Sequence, residues 1–156
     1  MNSHSHHAPR RDSSANRAGQ TQTPLFALDR PLKQLVDELA EAQADALSRI
    51  GSAQLRRFFG EIKELYRHFQ TLVRGTHDLE ERQTIYAEQI EPRFKMIRSK
   101  VAYAKRPYGQ STIPEDFAAF LDHGIKVSES AEDFEKFVRH LEAVVGFLYG
   151  LGKVTK

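Results

Sequence analysis

At 156 residues, 40% hydrophobic and 28% charged, the chain has the make-up of a soluble globular protein, with room for one domain and a sizeable core. No apolar run approaches the roughly 18 residues that span a bilayer, and the absence of cysteine excludes a disulfide framework. The formal charge of +2, from 23 basic and 21 acidic residues, is small but unevenly placed.

Residues 29–47 hold five acids against two cations, and residues 115–149 hold eight against three. The middle is the reverse, with five cations against two acids from Ser52 to Arg74 and six against none from Arg93 to Arg106. A basic middle between acidic flanks points to an anionic partner at one surface and a protein neighbour at another.

Residues 1–24 are rich in Ser, Asn, Gln, Thr and Pro and nearly free of apolar side chains, so they offer little to offset the entropy of ordering and are predicted to be a disordered basic tail. Its histidines, His4, His6 and His7, are read as bystanders, and no metal site is assigned to them. The chain opens without the apolar stretch of a signal peptide, so a cytoplasmic site is expected.

Residues 25–156 are predicted to form a single all-α domain, a helical bundle of about five helices. The first helix opens at Asp29, tolerates Pro31 in its first turn, and carries Leu32, Leu35, Val36, Leu39, Ala42, Ala46 and Leu47 on its apolar face before ending near Gly51. The second, Ser52 to Arg74, is the most plainly amphipathic: Leu55, Phe58, Phe59, Ile62, Leu65, Tyr66, Phe69, Leu72 and Val73 share one arc. Ser52 is its expected cap, with Gly51 and Gly75 marking its ends.

A third helical stretch runs from Leu79 to about Lys105, interrupted by Pro92, which either kinks one helix or divides two near Glu91. The loop RPYGQSTIP follows, and Pro114 then opens a short helix bearing Phe117, Phe120 and Leu121 that stops around Gly124. Ser130 and Asp133 have the spacing of a capping box for the last helix, whose buried face is Phe134, Phe137, Val138, Leu141, Val144, Val145 and Leu148. No strand is predicted, because the short β-branched runs all fall within helical periods.

On the second helix Arg56, Gly60, Lys63, Arg67, Gln70 and Arg74 fall within about 40° of one line, and the outer charges lie roughly 27 Å apart. Glu61 and Glu64 belong to another sector, so the stripe reads as four cations with no acid, suited to the phosphates of a nucleic-acid strand; a merely solvated helix face is the bland alternative.

Three blocks resemble those of a known family. IGSAQLRRFFGEIKELY (Ile50 to Tyr66) is similar to a block in which a Ser or Thr pair and Gln precede an aliphatic residue and two basic residues. FKMIRSKVAYAKR (Phe94 to Arg106) is similar to a basic helix that ends in an aromatic, small residues, glycine and arginine, although here Lys105-Arg106-Pro107 replaces the glycine and arginine. EDFEKFVRHLEAVVGFLYGLGK (Glu132 to Lys153) is similar to a C-terminal helix closed by an aliphatic and aromatic run, glycine and lysine. In this order they resemble the small helical subunit of the type III-A CRISPR effector, the Csm complex.

That resemblance implies a non-catalytic RNA-binding scaffold without cofactors. Copies would stack along the inner filament of the effector, facing guide and target RNA and touching the backbone subunits and the large subunit. Carried over by position, Arg56 and Arg57 match the basic pair of the first block, and Arg98, Lys100 and Arg106 fall in the second. Lys63, Arg67 and Arg74 are candidates from the helical wheel alone, and Lys95 and Lys105 complete the acid-free run.

No converging catalytic set is visible. His68, His77, His123 and His140 are scattered and read as ordinary surface or half-buried side chains, and the glycines occur singly rather than in a phosphate loop. Two other classes stay open. One is a protein-binding adaptor docking through Phe117, Phe120, Phe147 and Tyr149, and the other a helix-turn-helix DNA-binding protein using Arg56, Arg57 and Lys63.

Overall fold

The structure, a computed structural model, describes residues 25–106, 109 and 112–156; the tail predicted to be disordered and the middle of the RPYGQSTIP loop lie outside the described residues. All main elements are helices: α1 (Leu32–Leu35), α2 (Glu38–Ala46), α3 (Ser52–Leu72), α4 (Leu79–Ile85), a π-helical turn at Tyr86–Ile90, α5 (Glu91–Ala104), α6 (Glu115–Val127) and α7 (Ala131–Gly150). Since α4, the π turn and α5 are one continuous rod and α1 is a single turn, five long helices make the bundle.

Helix α7 lies at the centre and packs on α1, α2, α3 and α6. Its own start is well defined: the Ser130 hydroxyl accepts from Asp133 N at 3.1 Å, while the Asp133 carboxylate accepts from Ser130 N at 3.3 Å, so the capping box closes with Asp in the usual Glu position. Phe134 and Phe137 then anchor the core. Phe94 stands 4.8 Å and Tyr86 5.4 Å from the Phe134 ring, and Phe26 stands 5.2 Å from Phe137. Phe117 and Phe120 are buried too, which places them in the core rather than at a docking face; Tyr149 is half exposed.

The first predicted helix is in fact two. Val36 and Asp37 separate α1 from α2, and Asp37 takes φ −124° and ψ −103°. The break frees the Leu35 carbonyl, which accepts from Nδ1 of the buried His140 at 2.6 Å. It also resets the phase, so Ala40, Gln43 and Ala44 are buried whereas Ala42 and Ala46, expected inside, face solvent. Pro31, not Asp29, precedes the first turn.

Helix α3 forms as the periodicity requires, with Leu55, Phe58, Ile62, Leu65 and Phe69 buried and Gly75 in the left-handed region at φ +79° just beyond its end. Gly51 rather than Ser52 holds its N-cap, with no side-chain cap. A short ladder, unforeseen in the sequence, ties this start to the C-terminal end: β1 (Ile50–Gly51) runs parallel to β2 (Val154–Thr155), pairing Ile50 with Val154. Two residues are too few to give an alternation of apolar and polar side chains.

Asp78 caps α4 by accepting from Glu80 N at 2.9 Å. Further on, Pro92 neither stops the rod nor splits it. It lacks the N–H that an α turn would offer to the Glu88 carbonyl, and the wide turn Tyr86–Ile90 immediately before it accommodates this. Helix α6 runs past Gly124 to Val127. Gly124 is not a terminator but a contact point, since a Cβ built there would overlap the edge of the Phe137 ring at Cε2.

Candidate nucleic-acid interface

On α3 the core arc leaves an outer face that carries Arg56, Arg57, Gly60, Glu64, Arg67, Gln70 and, in the turn beyond, Arg74, all exposed. The wheel therefore places the basic stripe at the surface, but acids reach it from elsewhere. Lys63 forms an ion pair with Glu142 of α7, and Arg67 Nη1 lies 3.3 Å from Glu64 Oε2. Partial burial, reinforced by the neighbouring Arg67, lowers the Lys63 pKa. The expectation of a stripe without acids is thus corrected: Glu142 is remote in sequence and arrives by packing, and Glu64 is reached by the long Arg67 side chain. Arg56 and Arg74 carry no acidic partner among the described residues, and the Arg57 guanidinium lies 5.5 Å from the Phe58 ring centre.

The cations of α5 divide between two neighbours. Lys100 turns to α3 and pairs with Glu61, whereas Arg98 Nε donates to Asp122 Oδ1 of α6 at 2.8 Å. Lys105 and Arg98 line an open hollow of about 490 Å³ between α5 and α6 that also holds Glu115, Asp122 and His123, so that hollow carries both signs of charge. Arg106 folds onto Tyr103, its guanidinium carbon 3.9 Å from the ring centre. The structure therefore does not gather all ten predicted residues on one face. The α3 and α5 sets meet at the seam spanned by Glu61 and Lys100.

Lys95 has a different task from the one its place in the basic run suggests. Its ammonium donates to the carbonyls of Ile125 at 2.8 Å, Lys126 at 3.4 Å and Ser128 at 2.7 Å, closing the C-terminal end of α6, where unpaired carbonyls carry partial negative charge. Burial lowers its pKa, partly countered by Glu91 and Glu129. Lys153 does the same for α2, donating to the carbonyls of Ala44, Asp45 and Leu47. The terminal Gly152-Lys153 is thus a fastening: Gly152, at φ +69°, turns the chain so that Lys153 meets α2.

Among the described residues no three His, Asp or Glu side chains are grouped as a metal site, and no helix is long and apolar enough to cross a membrane. The residues missed by sequence reasoning are Tyr103, which is 63% exposed beside Arg106, and Glu142. Tyr103 was legible only as the aromatic of the second block.

A small all-helical protein with exposed cations on its second long helix is the class that fold and surface define. The family model for Csm2 Type III-A matches residues 29–149, and the chain belongs to that family, the small subunits of the type III-A CRISPR complex. No curated protein and no solved structure gives a significant match.

Proposed function

We propose that the chain is a non-catalytic RNA-binding scaffold of the type III-A effector, with residues 25–156 acting as one cytoplasmic domain. Copies stack along the inner filament beside the backbone subunits and the large subunit, and hold guide and target RNA by their phosphates. The observation that carries this reading is the outer face of α3, where Arg56, Arg67 and Arg74 lie along one side, exposed. Cations at that spacing hold a strand without reading its bases, as befits a complex that leaves sequence choice to base pairing. Of the predicted residues, Arg56, Arg57, Arg67 and Arg74 form the primary surface; Lys105 and Arg106 extend it, while Lys63, Lys95, Arg98 and Lys100 act mainly in holding helices together.

Co-expression with the other Csm subunits tests the reading. Guide RNA should co-purify with the assembled complex, and triple reversal of Arg56, Arg67 and Arg74 to glutamate should reduce the RNA retained without displacing the subunit's helical signal. A complex that retains the same RNA with the reversed face removes α3 from the interface.

A further inference from the structure

Tyr103 and Arg106 form a fixed pair at the C-terminal end of α5. The Tyr103 side chain is exposed although the opposite side of its helix is core, with Ile97, Val101 and Ala104 buried. Arg106 lies over the ring and its Nη1 donates to the Tyr103 carbonyl at 2.9 Å. Gly109, at φ +109°, closes on the same guanidinium: a Cβ there would stand 2.9 Å from Nη2, so glycine is what lets the chain approach. The guanidinium is held between ring and loop, and much of the ring stays open to solvent.

The seam between α3 and α5 that leads to this ring carries cations. Phe69 packs on Tyr86 while Glu61 pairs with Lys100, so α3 runs antiparallel to the rod that ends in α5. One turn back from Glu61 is Arg57, and one turn on from Lys100 is Tyr103, hence both lie towards the same end of the seam. Glu61, the acid at this seam, is already taken by Lys100. Met96, 62% exposed, sits two turns before Tyr103 on the same side of α5 and lengthens the apolar strip.

We infer that Tyr103 is a stacking platform for an unpaired base of single-stranded RNA, with Arg106 fixing the ring and Arg57 placed for the adjoining phosphate. The inference rests on the RNA-binding reading above and adds a base contact to it. An aromatic face beside cations is the pairing that single-stranded nucleic acid uses, and stacking tolerates any base. An apolar side chain from a protein neighbour would cover Tyr103 and Met96 too, but would leave Arg57 without an anion.

The test compares the full chain with Tyr103→Ala and Tyr103→Phe, titrated with a fluorescent 20-nucleotide mixed-sequence RNA as a single strand and as a fully paired duplex. Tyr103→Ala should weaken single-strand binding about tenfold and leave duplex binding unchanged, and Tyr103→Phe should bind like the parent. Because Tyr103 is exposed, a circular dichroism spectrum matching the parent is expected for both. If Tyr103→Ala binds the single strand as the parent does, or weakens both RNAs equally, the stacking role is overturned while phosphate binding stands. If the parent binds neither RNA, the phosphate reading falls and this inference falls with it.

Discussion

The ammonium of Lys95 donates to the carbonyl of Ser128 at 2.7 Å, and this bond, with those to Ile125 and Lys126, fastens α5 to the end of α6. A residue that charge patterning assigns to RNA is therefore part of the bundle's own framework. Lys95→Met keeps the aliphatic stem but strands these carbonyls, and should lower unfolding stability by about 1.5–3 kcal/mol. Urea melts should show that loss while the salt dependence of RNA binding stays as in the parent.

Reversing Arg56, Arg67 and Arg74 to glutamate should act in the opposite way, leaving the melt nearly unchanged and markedly reducing RNA binding at moderate salt. Neutralising them to glutamine should flatten the plot of log affinity against log salt by about 0.7 per lost phosphate contact on a single strand. Lys63 is excluded from this set because a glutamate there would face Glu142 and confuse folding with binding.

Two helix glycines should respond to alanine with opposite signs. Gly60 has nothing within 4 Å of a built Cβ, so Gly60→Ala should stabilise the protein by about 0.5–1 kcal/mol. At Gly124 the Phe137 ring must move, and Gly124→Ala should cost about 1–3 kcal/mol or more. Paired thermal melts decide both, and equal shifts in the same direction would contradict the packing described here.

His140 is wholly buried between the rings of Phe26 and Phe120, at 5.3 Å and 5.7 Å, and burial lowers its pKa despite the opposing hydrogen bond to Leu35. The native ring stays neutral where the unfolded chain already binds a proton. Stability is therefore full above about pH 6.5 and declines as pH falls towards the lowered native value, by at most about 1.4 kcal/mol per pH unit. His140→Met should be less stable throughout, since it strands the Leu35 carbonyl, but should lose less on going from about pH 7 to pH 5. A parent and variant with parallel pH profiles would exclude His140 as the source.

Much of the fold is legible because each long helix carries its own instructions. The arc Leu55, Phe58, Ile62, Leu65 and Phe69 and the Ser130 and Asp133 box are local signals and form as read, while Pro114, expected in the first turn of α6, stands just before it as the N-cap. What escaped depends on partners distant in the chain. The break after Leu35 belongs with His140, the extension of α6 past Gly124 belongs with Phe137, and the β1–β2 ladder joins residues from opposite ends of the domain. The surface was harder for the same reason: a wheel drawn on one helix has no place for Glu142, or for the carbonyls that occupy Lys95.

The wide turn at Tyr86–Ile90 has a consequence for assembly. Such a turn contains one residue more than an α turn, and so absorbs a residue that would otherwise rotate everything downstream by about 100°. It thereby sets the compass bearing of Tyr103 and Arg106 relative to α4. A relative one residue shorter at this point could close the turn as regular α-helix and keep the aromatic corner on its bearing, whereas losing a residue from α4 or α5 would swing that corner by about 100°.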